Sequence, residues 1–209
     1  MAVAKYFSNA FSVLGILILF FCSMSVAQEN APKVTLDNLN TVIELEANTS
    51  NKYRVFAEKA DAEGHPQVAK LFRAISKSEA IHRTNHEEAL RKLGGQPRKF
   101  DLKQVSIGIT QDDLKSVVVI KKHEKAHMYL SYIKQARKDR ALPAMEAFVH
   151  ARESELHHEV LLRQALKHLG KNKKMDYFVN SKTGSVEQRR PGSATPHSET
   201  LGGEYIKVE

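Results

Sequence analysis

Glu79 and His82, and again Glu155 and His158, place a carboxylate three residues ahead of an imidazole, and the second pair repeats the first at an offset of 76 residues. On a helix, positions i and i+3 share a face, so each pair can aim one oxygen and one ring nitrogen at a common point. That is a metal-ligand geometry. Carboxylate oxygens with imidazole nitrogens suit iron or manganese, and a bundle that adds one glutamate from each of two further helices can hold a pair of such ions. A single Glu-x-x-His is a weak signal, because the alternative is a solvated surface pair; its repetition is what gives it weight.

The elements that must position these residues read as helices. Thr35 is placed to cap a first helix whose apolar positions Leu36, Leu39, Val42, Ile43 and Leu45 recur at helical spacing, running to about Ala62. Gly64-His65-Pro66 forms a turn, and Pro66 opens a second helix through Val68, Leu71, Phe72 and Ile75 that ends at Gly94-Gly95. Residues 96–109 are too long for a hairpin turn and read as a crossover. Thr110-Gln-Asp-Asp113 resembles a capping box with Asp in place of Glu; it opens a third helix through Val117, Val118, Ile120, Met128, Tyr129 and Ile133. The fourth helix runs from about Pro143 to His168, before Gly170.

The two hairpins repeat each other without a gap. At the same offset Tyr53 meets Tyr129, Leu71-Phe72 meets Ala147-Phe148, Ser78-Glu79 meets Ser154-Glu155, and Leu93-Gly94 meets Leu169-Gly170. A duplicated helical hairpin closes into a two-fold-like bundle and brings both Glu-x-x-His faces to its middle. The four aromatics at repeat-related positions are core residues in this reading.

Composition narrows the function classes. The chain has 209 residues, 32 Lys and Arg against 24 Asp and Glu, and one cysteine. The lysines are spread over the polar positions of helices without aromatic interleaving, which argues against nucleic acid as a partner. Residues 1–27 carry Lys5, an apolar run from Phe11 to Cys22 and small residues at Ser25-Val26-Ala27, the layout of a secretory signal peptide. The apolar run is shorter than a spanning helix needs, so the expectation is an exported, periplasmic or extracellular protein with no stable membrane association after cleavage, an uncleaved membrane anchor being the alternative. Cys22 would leave with the leader, and with it any thiolate chemistry. Residues 28–35 are a polar lead-in, residues 36–170 the bundle, and residues 171–209 a tail.

On the first helix Glu44 and Glu46 are the candidate carboxylates, and Glu46 shares a face with Tyr53 seven residues on. Glu46, Tyr53, Phe72, Glu79 and His82, followed by Tyr129, Phe148, Glu155 and His158, resemble the rubrerythrin family over roughly residues 36–170. The resemblance implies an all-α, ferritin-like four-helix bundle made of two repeated hairpins joined by a crossover. It also implies a di-iron centre that reduces hydrogen peroxide, or in some bundles handles oxygen or oxidises ferrous iron. In that family the third helix supplies two glutamates three residues apart, the second lying five residues before the tyrosine. Here the second is Glu124, but the first position holds Lys121, whose ammonium repels a divalent cation. Three outcomes are open: Glu124 serves as the only third-helix ligand, His123 or His127 adds a nitrogen donor, or one metal position is weak or empty. A shift of three residues would move Glu124 to the first position, at the cost of a deletion near Asp139, so the ungapped register is preferred. By resemblance the metal ligands are Glu46, Glu79, His82, Glu124, Glu155 and His158, with Glu79, Glu155 and Glu124 closest to the chemistry and Glu79 and Glu155 bridging. Two irons are implied, with one iron, or manganese, as the alternatives. His86 and His157 fall off the ligand face in this reading.

The tail divides two ways. Its Lys-rich sequence with Gly, Ser and Pro suggests a flexible extension, yet Tyr177-Phe-Val-Asn180, Thr183-Gly, Thr195-Pro-His-Ser198 and Tyr205-Ile-Lys-Val resemble the rubredoxin-like module that often follows this bundle. That module holds one iron on four cysteines, at positions filled here by Asn180, Thr183, Thr195 and Ser198. A relic of it could carry no iron, and an unidentified external electron donor would be required. Family bundles often pair, which makes a homodimer an expectation from resemblance alone. The competing expectation is a non-enzymatic iron-binding or structural protein in which Lys121 has disabled the centre.

Overall fold

The computed structural model describes residues 32–120, 126–198 and 202–209. The leader and most of the lead-in lie outside the described residues, as do Lys121, His123 and Glu124. α1 (Lys33–Ala62) and α2 (Pro66–Lys92) form an antiparallel hairpin. The buried stripe of α1, Leu39, Val42, Ile43, Glu46, Tyr53, Phe56 and Ala60, follows the three-and-four spacing of one helix face. Gly64 adopts φ +77°, a conformation that costs a residue with a Cβ, and so allows the reversal into Pro66. At mid-hairpin Ser50 and Ser76 each donate a hydroxyl to the other's carbonyl at 2.8 Å, where two small residues let the helices approach.

The crossover lies along α1, held by the Arg98 and Lys103 backbone N–H groups donating to Asn40 and Asn48. α3 (Thr110–Ile120) and α4 (Ala126–Lys138) occupy the stretch expected as the third helix, and α5 (Leu142–Lys167) is the fourth. Among the described residues no helix is long and apolar enough to cross a membrane.

Two expected caps are used otherwise. Thr35 lies inside α1, which begins at Lys33, and its buried hydroxyl donates to Asp139 Oδ2 at 2.7 Å. It ties the start of α1 to the turn after α4 instead of capping a helix. Thr110 sends both its backbone N–H (2.7 Å) and its hydroxyl (2.6 Å) to Glu63 Oε2, while Asp113 accepts from Gly108 N–H at 2.9 Å. The box is therefore split between the helix's own Asp113 and a carboxylate at the end of α1.

The tail is folded. β1 (Asp176–Asn180) is the centre of an antiparallel sheet ordered β2-β1-β3, with β2 at Val186–Arg189 and β3 at Tyr205–Val208. Val179 pairs with Val186 on one side and Ile206 on the other. Every residue of β1 is buried, and Tyr177, Val179, Val186 and Val208 join the bundle core around Tyr53, Phe56, Leu71, Phe72 and Ile75. At roughly 1.5–3 kcal/mol for each large apolar side chain buried, this packing accounts for why so polar a segment does not remain an extension. A second core surrounds Tyr129 and Phe148 with Leu39, Ile43 and Leu90.

Candidate metal centre

Three helices bring five of the six expected site residues together. Glu46 comes from α1, Glu79 and His82 from α2, and Glu155 and His158 from α5; each is at most 4% exposed. Ligand atoms of Glu46, Glu79 and His82 lie within 4.8 Å of one another, and so do those of Glu79, Glu155 and His158. Glu79 belongs to both groups. Its Oε2 faces His82 Nδ1 at 3.4 Å and its Oε1 faces His158 Nδ1 at 3.7 Å. Glu155 Oε2 lies 3.8 Å from His158 Nδ1. The two imidazoles are 6.2 Å apart, one on either side of the Glu79 carboxylate. Among the described residues Glu79 is therefore common to both groups, whereas Glu155 belongs to one.

Glu44, the other first-helix candidate, is 41% exposed and pairs with Lys103 at 3.2 Å, so its charge is spent at the surface. His127 and His157 are exposed, away from the buried groups. The sixth expected residue, Glu124, is outside the described residues.

Burying three carboxylates in a bundle is expensive unless positive charge or hydrogen bonds compensate. One compensation is Tyr129, wholly buried, whose hydroxyl donates to Glu46 Oε1. Burial first, and then the negative charge of Glu46, push the Tyr129 pKa well up, so the phenol keeps its proton and remains a donor. His86 follows: its Nε2 lies 3.3 Å from the Tyr129 oxygen, and its ring stacks on Tyr129 at 6.0 Å and meets Phe148 at a tilt, 5.5 Å between centroids. The sequence reading set His86 aside. Its place seven residues after Glu79, two helical turns on, was the signal that could have found it. On the other imidazole, His82 Nε2 is buried with no hydrogen-bond partner among the described residues. Oxygen and nitrogen donors in two groups that share one carboxylate fit a pair of iron or manganese ions.

Known proteins resemble this chain in sequence and in fold. The family profile described as Rubrerythrin matches residues 37–166. Rubrerythrin-2 of Clostridium acetobutylicum is 30% identical over 148 residues, spanning 67% of this chain and 76% of that one. Among solved structures, mixed-valent nigerythrin superposes with a TM-score of 0.73 at 20% identity, covering 83% of this chain and 86% of that one. The fully reduced, all-ferrous state of nigerythrin gives a TM-score of 0.68 at 22% identity, covering 75% and 78%. At these identities the structural likeness speaks for the fold.

Proposed function

Since the chain belongs to the rubrerythrin family, we propose that it is a non-haem di-iron oxidoreductase that reduces hydrogen peroxide, or oxygen, with electrons from an external donor. The observation that carries this reading is the presence of Glu79 in both ligand groups, one oxygen toward each imidazole. Glu46, Glu79 and His82 would hold one ion, and Glu79, Glu155 and His158 the other, with Glu124 added from its position in the sequence. Bound there, a ferrous pair supplies two electrons, enough to turn one hydrogen peroxide and two protons into two waters.

The chain's own residues set the conditions for that step. Glu79 fixes the spacing of the two positions. Tyr129 holds Glu46 in place by donating its hydroxyl hydrogen, and its raised pKa makes it a fixed donor and not a base. Phe148, tilted against Tyr129 at 6.1 Å, and His86 are wholly buried beside that donor. The tail offers Asn180, Thr183, Thr195 and Ser198 where the rubredoxin-like resemblance has cysteines, so no thiolate there can relay electrons, and the donor is a separate molecule. Residues 1–27 support export as part of the same proposal.

Lys121 favours a second reading, an iron-binding or structural protein with a disabled centre. Anaerobic loading with ferrous iron, followed by rapid mixing with hydrogen peroxide, separates the two. The proposed enzyme gives a ferric absorption with one peroxide consumed per two ferrous ions, faster than with oxygen. A ferrous protein that peroxide leaves unchanged overturns the enzymatic reading.

A further inference from the structure

The tail approaches the centre at one point. Gly184, in the turn after β1, has φ +76°, and a Cβ built on it would lie 2.6 Å from His82 Nε2 and 2.7 Å from His82 Cδ2. No side-chain carbon fits at such distances. The turn is fastened to α2 on both sides of this contact: Ser78 Oγ donates to the Gly184 carbonyl at 2.5 Å, and Asn85 Nδ2 donates to the Lys182 carbonyl at 2.8 Å. Ser78 immediately precedes Glu79, and Asn85 follows His82 by three residues, so the fastening spans the Glu-x-x-His stretch of α2.

The turn is also fixed within itself. Asn180 Oδ1 accepts from the Lys182 and Thr183 backbone N–H groups, each at 2.9 Å, Gly184 N–H donates to the Asn180 carbonyl at 2.9 Å, and Asn180 Nδ2 donates to the Gly202 carbonyl at 3.0 Å. Farther along, Gln67 and Met175 exchange two bonds of 3.1 Å, and Lys70 pairs with Asp176 at 3.0 Å. A segment anchored at so many points holds its turn against α2 as a wall. The His82 ring has Nδ1 toward Glu79 and its opposite edge against that wall, where Nε2 has no hydrogen-bond partner among the described residues. On that edge the ring meets backbone at close range and makes no hydrogen bond to the described residues, so the turn limits how far it can rotate.

We propose that Gly184 is a positioning residue for His82: the turn it occupies presses the imidazole into the orientation that presents Nδ1 to Glu79, and seals that end of the centre from water. The inference rests on the reading of His82 as a ligand. In this role the tail acts through shape, and needs no metal of its own.

The test compares Gly184→Ala with Gly192→Ala. Gly192 has φ +79° in the same segment with nothing within 4 Å, so its variant carries the backbone strain without the contact. Manganese(II) affinity, measured by competition with a chelator, should fall by about tenfold or more in Gly184→Ala and stay within about twofold in Gly192→Ala. The histidine ring signals in ¹⁵N-correlated spectra of the metal-free protein, with that of His82 identified by its loss in His82→Ala, should move in Gly184→Ala and stay in Gly192→Ala. With His82 replaced by Ala, adding Gly184→Ala should cost no further affinity. Ser78→Ala, which loosens the turn without adding an atom against the ring, should move the same His82 signal even if Gly184→Ala fails to fold. Unmoved His82 signals in the Ser78 and Gly184 variants, or an affinity loss that persists without His82, overturn the proposal. If His82→Ala binds manganese as the parent does, the ligand reading of His82 fails, and the ring signals alone decide whether the contact orients it.

Discussion

Tyr129→Phe removes one oxygen and leaves the ring, its stacking on His86 and its contact with Phe148 in place. What is lost is the hydroxyl donated to Glu46, together with the 3.3 Å contact to His86 Nε2. A hydrogen bond to a charged acceptor contributes roughly 1.5–3 kcal/mol. Holding a metal requires Glu46 ionised and in one rotamer, whereas the metal-free chain can relax around it, so most of that energy falls on affinity. At about 1.4 kcal/mol per factor of ten, the variant should bind manganese(II) or ferrous iron about ten- to a hundredfold more weakly, the range seen when groups supporting metal ligands are removed. Competition against a chelator of known affinity, under anaerobic conditions for iron, gives the number. An affinity within about twofold of the parent, with a lowered thermal midpoint, would show that the bond serves the fold alone and refute the reasoning.

Other perturbations separate fold from site. Phe72→Ala empties a wholly buried position 5.7 Å from the rings of both Tyr53 and Phe56, and should lower stability by about 3–5 kcal/mol in urea unfolding; a loss under about 1 kcal/mol would mean that this core is loosely packed. The Thr110 hydroxyl first, then the Thr110 backbone N–H and Lys59, lower the Glu63 pKa from 4.5 to about 2. A lowered native pKa adds stability that is complete above pH 4.5 and lost as pH falls toward 2. The stability gap between the parent and Glu63→Gln should therefore be widest above pH 4.5 and narrow toward pH 2, and a gap independent of pH in urea titrations contradicts it. Lys121→Glu replaces a cation with a carboxylate at the position where the family carries a glutamate, and should tighten the weaker metal step of a ferrous titration; an unchanged isotherm places Lys121 outside the centre's field.

The sequence carried the bundle because its evidence is repeated. A gapless offset pairs Tyr53 with Tyr129, Phe72 with Phe148 and Glu79 with Glu155, and all six residues are buried. The i, i+3 spacing was enough to place His82 and His158 beside their carboxylates, and the two-turn spacing from Tyr53 was enough to prefer Glu46 over Glu44. What was not legible depends on partners distant in sequence. Thr35 looks like a cap until Asp139, 104 residues away, is seen to receive its hydroxyl. His86 gains its place from Tyr129 on another helix. The tail's composition left a flexible extension and a folded module both open, and what decides is that Tyr177 and Val179 find an apolar surface on the bundle around Tyr53, Phe56, Leu71 and Phe72. No spacing rule connects Gly184 to His82, since the contact joins a turn to a helix 102 residues before it.

The central claim is that one carboxylate, Glu79, serves two metal positions at once. Metal content per chain, determined on protein purified without chelator and reloaded with ferrous iron, tests it directly when Glu79→Ala is set beside Glu46→Ala and Glu155→Ala. The account predicts about two ions in the parent, none retained in Glu79→Ala, and one retained in each of the other two variants. Two ions retained in Glu79→Ala, or none in the parent, would contradict it.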